Sequence, residues 1–158
     1  MKFTFILVGK LKENYFVEAV ANYKKMLQAF GETEVVFVEE TSFKKEPNES
    51  QIKRSLDEEA EKVLARINSK DLVILCDLHG KMMDSVSLAK YIEENKSIKS
   101  NIKIVIGSSY GLSDKLRTRA DLLLKLSEMT FLHPMTLVII MEQIYRANKI
   151  IANQTYHK

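Results

Sequence analysis

The chain has 158 residues, 46% of them hydrophobic, and its 24 basic and 21 acidic side chains give a net charge of +3. These values are typical of one packed domain, predicted over residues 1–158. The sequence shows no cleavage site after the N-terminal apolar run, a single cysteine, and no run near the roughly 18 apolar residues of a membrane span. We therefore expect a cytoplasmic protein without a membrane span or an internal disulfide, whose modest charge permits a nucleic-acid partner without requiring one.

Apolar strands alternate with helical periods from the start of the chain. Phe3–Val8 is predicted to be a strand, and the apolar positions from Phe16 to Phe30 recur at helical spacing. Gly31 stands where a glycine would cap the C-terminus of that helix. A second strand is predicted over Val35–Val38.

The middle of the chain repeats this alternation. Asn48 is a cap-type residue before a helix whose apolar face runs from Ile52 to Ile67. Leu72–Cys76 and Ile102–Ile106 are almost purely apolar, which is typical of strands buried on both faces. A short helix around Leu88–Ile92 separates them. Strands that alternate with helices predict an α/β domain with a mainly parallel sheet flanked by helices.

The last third contains a helical stretch near Leu116, the apolar run "LLLKL", and a long final helix. Pro134 suits the first turn of that helix, which is predicted over Met135–Ile151. The helix is apolar on most sides, so it requires burial on more than one side. A homodimer interface would supply the second surface.

Two loops after predicted strands are candidate ligand sites. The segment "IVIGSSYGLSDK" contains Gly107 and Gly111, although it has neither the Walker A nor the Rossmann spacing. A plain strand-to-helix turn explains it equally well on spacing alone. The segment "LSEMTFLHPM" offers hydroxyls and apolar side chains, and its alternative interpretation is a capped connector with core side chains.

Other chemistry-bearing residues have simple structural explanations. Glu142 and Arg146 are four residues apart, which is typical of a helix-surface ion pair worth about 0.3–0.5 kcal/mol. The functional alternative is that Glu142 holds Arg146 toward a phosphate. Cys76 lies in an apolar strand and is more typical of a small core residue than of a nucleophile. The histidines and the cysteine show no zinc-binding spacing, so no metal site is predicted.

Several motifs together carry a resemblance to a known family. These are "GSSYGLS", "LSEMTFLHP", "EQIYRA" followed by "KII", and "YHK", together with "VGKLKENYF" near the start. In this combination the chain resembles the bacterial large-subunit ribosomal RNA methyltransferase H family of the SPOUT superfamily, over essentially its whole length. "YHK" combined with "EQIYRA" is the most specific part, whereas the glycine loop alone would not be specific.

The resemblance implies a fold, an activity and a set of site residues. It implies a SPOUT fold with a C-terminal trefoil knot that binds S-adenosylmethionine, a homodimer, and methylation of N3 of a pseudouridine in 23S rRNA on assembled ribosomes. By position, the implied cofactor contacts are Cys76, Gly107, Leu126, Ser127, Glu128, Met129, Thr130 and Phe131. The implied RNA-binding residues are Arg146, Tyr156, His157 and Lys158, of which Arg146, Tyr156 and His157 are the candidate catalytic residues.

The residues Tyr156–Lys158 are then expected to complete a binding site across the dimer rather than to form a solvated tail. Tyr156 could stack on a base, which is worth roughly 1–3 kcal/mol. His157 is the candidate base for the N3 proton on residue type alone, and a phosphate contact by its ring or proton loss to water is equally open.

Five positions depart from the family pattern. Ser108 stands where a second glycine is usual, Leu132 replaces a proline, and Leu137 replaces an arginine. Asn148 takes a position that is usually aromatic, and an apolar residue is commoner at Cys76. The change at Leu137 removes a charge interpreted as facing RNA, so it favours a second hypothesis, a catalytically weakened ribosome-binding protein that retains the fold. A third hypothesis is a generic α/β nucleotide-binding module, which gives no reason for "YHK".

Overall fold

The structure of the chain is a computed structural model, and it describes residues 1–155. The roles predicted for Tyr156, His157 and Lys158 therefore fall outside the described residues. Strands and helices alternate through the described chain in the order β1 (Lys2–Val8), α1 (Asn14–Leu27), β2 (Glu32–Val38), α2 (Glu49–Leu64), β3 (Leu72–Met82), α3 (Ser85–Asn95), β4 (Asn101–Ile106), α4 (Asp114–Arg119), β5 (Leu122–Lys125) and α5 (His133–Ile151).

The strands form one sheet in the order β2-β1-β4-β3-β5, and all neighbouring strands are parallel. Helices cover both faces. On one face α5 packs between α1 and α3, and on the other α2 contacts α4. The predicted α/β class with a parallel sheet flanked by helices is confirmed.

Alternation along the strands divides the core into two layers. Phe5 and Leu7 of β1 pack beneath α1, α3 and α5, whereas Ile6 and Val8 face the layer of α2 and α4. Both sets are buried, because a parallel sheet with helices on its two faces leaves neither face to water. The apolar strand runs in the sequence reflect this double burial.

The start of α2 shows how the sequence sets a helix boundary. The side chain of Asn48 accepts a hydrogen bond from the Gln51 amide at 2.8 Å, and the Gln51 side chain accepts one from the Asn48 amide at 2.9 Å. This reciprocal capping box satisfies amides that lack a partner within the helix. The predicted cap at Asn48 is confirmed.

Two predicted details are wrong. Gly31 does not cap α1, because the helix ends at Leu27 and its cap residue Gln28 keeps a right-handed helical conformation. A side chain at position 31 would instead collide with the Met1 carbonyl. Leu137 is fully buried in the core beneath α1 and α3, so interpreting this position as a lost RNA-facing charge is wrong for this chain.

The predicted third strand does not end at Cys76. Both Cys76 and Lys81 pair with Leu124 of β5, and residues 77–80 leave the ladder between them as a bulge. Gly80 brings the chain back, and a Cβ atom on it would lie 2.6 Å from the carbonyl carbon and oxygen of Leu123. The bulge therefore depends on a residue without a side chain at position 80.

Replacement of Gly80 by alanine should lower the free energy of unfolding by about 1–3 kcal/mol, because the added methyl group overpacks against the backbone of β5. Urea denaturation measures this change. Lys81→Ala is the matched control, since Lys81 is exposed on the same strand, and it should change stability by less than about 0.5 kcal/mol. Equal stabilities for the two variants would contradict the close approach at Gly80.

Candidate functional site

A cavity of about 740 Å³ lies at the carboxyl ends of β3, β4 and β5. Its walls come from the segments that follow these strands, residues 76–79, 106–112 and 126–133, and from the first turn of α5. Parallel strands bring their carboxyl ends to one edge of the sheet, and ligands of open α/β sheets bind beyond that edge. The size falls within the range of about 300–1,000 Å³ that is typical of small-molecule sites.

The structure brings most of the predicted cofactor contacts together around this cavity. The lining includes Cys76, Gly107, Leu126, Ser127, Met129, Thr130 and Phe131. Glu128 is placed differently, since its exposed carboxylate pairs with Lys125 Nζ at 2.7 Å. The cofactor-binding role of the whole set stays a prediction.

Cys76 lies against Ile106 of β4 in the parallel ladder and lines the base of the cavity. Burial, reinforced by the neighbouring Asp77 charge, raises the pKa of the Cys76 thiol to about 12. A thiol with that pKa remains protonated at neutral pH, whereas nucleophilic cysteines need the thiolate. The geometry therefore agrees with a wall residue.

An ion pair that the sequence did not reveal lines the same cavity. Asp77, nearly buried, accepts a hydrogen bond from Arg117 Nε at 2.6 Å and another from the His79 amide at 3.0 Å. Burial alone would raise the pKa of Asp77, but Arg117 and the His79 amide outweigh it and hold the pKa below its ordinary value. This pair fixes the bulge of β3 to α4.

The loop of residues 107–112 forms the opposite wall and is held from behind by carboxylates. Ser108, which is buried, donates to Glu59 Oε1 of α2 at 3.0 Å, and the Ser109 amide donates to Glu40 Oε1 at 3.0 Å. Gly111 closes the turn with a φ of +104°, in the region that favours glycine. Its amide donates to the Ser108 carbonyl at 3.0 Å.

The third wall, residues 126–132, is exposed from residue 128 onward rather than packed into the core. Met129 and Leu132 have 74% and 70% of their surface exposed, and Phe131 is 41% exposed. The Ser127 hydroxyl accepts a hydrogen bond from the Met129 amide at 3.0 Å. The alternative interpretation of this segment, a connector with core side chains, is therefore wrong for these apolar residues.

Arg146 lies on α5 away from the residues that line the cavity. Its guanidinium contacts Glu142 Oε1 at 2.7 Å, and both side chains are largely buried, at 25% and 18% exposure. The predicted Glu142–Arg146 pair is thus present, in a less exposed setting than a helix-surface pair. Its contact with RNA stays a prediction.

The side chains that the sequence reasoning missed had detectable signals. Asp77 is an acidic residue directly after an apolar strand. Glu59 stands beside Ala60 and four residues before Val63, on the apolar face of α2. An acidic residue on a buried face is rare unless it is paired, so both positions pointed to a polar partner in the fold.

Residues 1–155 contain no cluster of three or more histidine, cysteine or acidic side chains that could hold a metal ion. In the same part of the chain, no helix is long and apolar enough to cross a membrane.

Comparison with known proteins assigns the family. The family described as "Predicted SPOUT methyltransferase" matches residues 1–157. The chain belongs to the SPOUT methyltransferase family. The resemblance seen in its motifs is therefore confirmed, and membership of a methyltransferase family implies a methyl donor.

Relatives within this family match over the full length. Proteins named ribosomal RNA large subunit methyltransferase H are 40% identical in Pseudothermotoga lettingae, with 99% of both chains covered, and 43% identical in Ruminiclostridium cellulolyticum, with 100% of both covered. A third protein of this name, in Caldicellulosiruptor bescii, is 38% identical with 97% of both chains covered. The SPOUT domain of this chain thus corresponds to the whole of these relatives.

Replacement of Asp77 by asparagine should lower the free energy of unfolding at neutral pH by about 1.5–3 kcal/mol, because it removes the charged partner of Arg117. The folded-state pKa of Asp77 lies below the ordinary 3.8, so its stabilisation is present above pH 3.8. The difference in the free energy of unfolding between the native protein and the variant should therefore narrow as the pH falls through the folded-state pKa of Asp77. Urea denaturation across this pH range measures it.

Asp114→Asn is the matched control, because Asp114 also contacts Arg117, at 2.9 Å, but its side chain is 92% exposed. It should cost less than about 1 kcal/mol at neutral pH. A cost equal to that of Asp77→Asn would contradict the special contribution of the buried carboxylate.

Proposed function

We propose that this SPOUT methyltransferase transfers a methyl group from S-adenosylmethionine to N3 of a pseudouridine in 23S rRNA, on assembled ribosomes. The observation that carries the proposal is the cavity at the carboxyl ends of β3, β4 and β5. The segments around these strand ends bring together most of the positions that the family resemblance assigns to the cofactor. Full-length similarity to proteins named ribosomal RNA large subunit methyltransferase H supports the rRNA substrate.

The residues around the cavity fit S-adenosylmethionine in size and chemistry. Leu112, Leu124 and Leu126 offer apolar walls to a nucleobase, while Ser127 and Thr130 provide hydroxyl groups for sugar oxygens. Backbone groups of the loop at Gly107 and of residues 126–131 would hold the polar edges of the cofactor. When bound, the cofactor supplies a methyl group already activated by its sulfonium.

The protein would then have two tasks, to align the acceptor atom and to accept its proton. Alignment of two reactants can contribute up to about 7–11 kcal/mol in ideal cases. We assign base stacking to Tyr156, proton removal or phosphate contact to His157, and phosphate contacts to Arg146 and Lys158. The ion pair of Arg146 with Glu142 supports the role of Arg146, because a held guanidinium loses less entropy when it meets a phosphate.

We further propose that the active form is a homodimer and that its C-terminal region forms the trefoil knot of the family. Exposed apolar side chains border the cavity on one side of the molecule. Leu78, Met129, Leu132 and Met135 are each between 40% and 74% exposed. A second copy of the chain would cover these side chains and complete the site.

The alternative of a weakened ribosome-binding protein lost its main support at Leu137. Because this residue is buried in the core, its identity does not report on RNA affinity. Methyl transfer remains the function that the site supports best.

The replacement Leu132→Glu should weaken the homodimer, because it places a charge in an interface otherwise made of apolar side chains. Sedimentation equilibrium measures the change, which we expect to be about tenfold or more in the dissociation constant. Ile98→Glu is the matched control. Ile98 is 75% exposed but precedes β4, so it lies at the amino ends of the strands, whereas the cavity lies at their carboxyl ends. A monomeric native protein, or equal effects of the two replacements, would contradict the proposed interface.

Deletion of Tyr156–Lys158 should reduce methyl transfer by about 100-fold or more, because it removes the proposed base and stacking groups, while cofactor affinity changes little. The measurement is transfer of label from S-adenosylmethionine to ribosomes that lack the modification, with free 23S rRNA and pseudouridine-deficient ribosomes in parallel. Label that enters only pseudouridine-containing ribosomes supports the enzyme and its substrate together. Full activity of the shortened chain would refute the role of these residues, and no label despite cofactor binding would favour the ribosome-binding protein.

A further inference from the structure

Glu59 is a buried carboxylate outside the lining of the cavity. It lies on α2 with 4% of its surface exposed. Its two oxygens serve two different segments, since Oε1 accepts from the Ser108 hydroxyl at 3.0 Å and Oε2 accepts from the Thr41 amide at 3.2 Å. A buried carboxylate is costly unless such hydrogen bonds are made, so this position requires a reason.

The segment after β2, residues 39–47, which we call the connector, approaches the same loop at two further points. Glu40 Oε1 accepts from the Ser109 amide at 3.0 Å. The Phe43 and Tyr110 rings meet edge to face, with centroids 5.8 Å apart. Three consecutive residues of the cavity loop, 108 to 110, are therefore each fixed from behind.

Glu59 links these contacts, because its carboxylate bonds to both the connector and the loop. Burial raises the pKa of Glu59, the Thr41 amide and the Ser108 hydroxyl oppose that rise, and the nearby Glu40 charge adds to it while Lys62 opposes it. Two carboxylates thus meet behind a loop whose front faces the cavity. Their hydrogen bonds are directional, so they restrict where residues 107–112 can lie.

We infer that Glu59 is a positioning residue, which sets the cavity loop for the methyl donor through Ser108 and the connector. This inference rests on the proposed function, since it takes the cavity to be the S-adenosylmethionine site. It also gives a role to Ser108, whose hydroxyl is the group through which Glu59 acts on the loop.

The chemistry of the pair provides a discriminating set of replacements. In Glu59→Gln the amide oxygen can accept from Thr41 while the amide nitrogen donates to the Ser108 hydroxyl, so both links persist. In Glu59→Met the side chain keeps a similar length but loses both acceptors. If Glu59 were needed only for packing, Glu59→Met would keep the cofactor affinity. If Glu59 positions the loop, only Glu59→Gln would keep it.

The experiment measures the affinity for S-adenosylhomocysteine by calorimetry, and the KM values for S-adenosylmethionine and for ribosomes. Glu59→Met should raise the cofactor dissociation constant and cofactor KM by about tenfold, and Glu59→Gln by less than about threefold. The KM for ribosomes should stay unchanged in both. Equal cofactor affinity in Glu59→Met and the native protein would overturn the inference.

Ser108→Ala is the second variant, which keeps the test decisive if Glu59→Met does not fold. It should weaken cofactor binding by no more than Glu59→Met does. The double replacement should bind the cofactor about as weakly as Glu59→Met alone, because both changes break the same Glu59–Ser108 link. Ser113→Ala is the matched control, since its hydroxyl also donates to an α2 carboxylate, Asp57, but Ser113 does not line the cavity. Its cofactor affinity should match that of the native protein.

The outcomes separate this inference from the proposed function. A native protein that does not bind S-adenosylhomocysteine refutes the proposed cofactor site. Native binding with no loss in Ser108→Ala refutes only the positioning role of Glu59.

Discussion

The parallel pairing of β3 with β4 on one side and β5 on the other is the constraint on which the site depends. It brings the chain exits of three strands to one edge, so the segments after Cys76, Ile106 and Lys125 must share the same space. The bulge after Cys76 lines that space with residues 77–79, because residues 77–80 leave the ladder and Gly80 returns the chain against β5. The cavity is thus a consequence of strand order combined with one irregularity in one strand.

Segments that leave a parallel sheet expose backbone amides that no strand neighbour satisfies, and here carboxylates satisfy several of them. Asp77 accepts from the His79 amide, Glu40 from the Ser109 amide and Glu59 from the Thr41 amide. Each of these acids comes from a different part of the chain. The result is a set of loops whose backbones are fixed from behind while their fronts remain open to a ligand.

Sequence periodicity was sufficient for the α/β class and for most elements, because double burial makes each strand an apolar run and each helix an apolar stripe. It failed where long-range contact decides. The bulge in β3 depends on the approach of Leu123 to Gly80, and the burial of Leu137 depends on two other helices. The proposed cofactor segments came from motif resemblance. The link between Glu59 and Ser108 joins α2 to the cavity loop, two segments that no local pattern connects.

Charge balance in the cavity bears directly on the proposed chemistry. A cationic methyl donor and an anionic RNA place opposite demands on one site, because a bare carboxylate attracts the first and repels the second. Among the lining residues within 1–155, the acidic side chain is Asp77, and Arg117 neutralises it at 2.6 Å. The wall would therefore present apolar groups, hydroxyls and backbone to a donor bound there, rather than an uncompensated negative charge. Only interactions that strengthen in the transition state accelerate a reaction. The sulfonium carries its full positive charge before transfer and loses that charge as the methyl group leaves. A bare carboxylate would stabilise the charged donor before transfer and so raise the barrier to methyl transfer, and a wall without one avoids this effect.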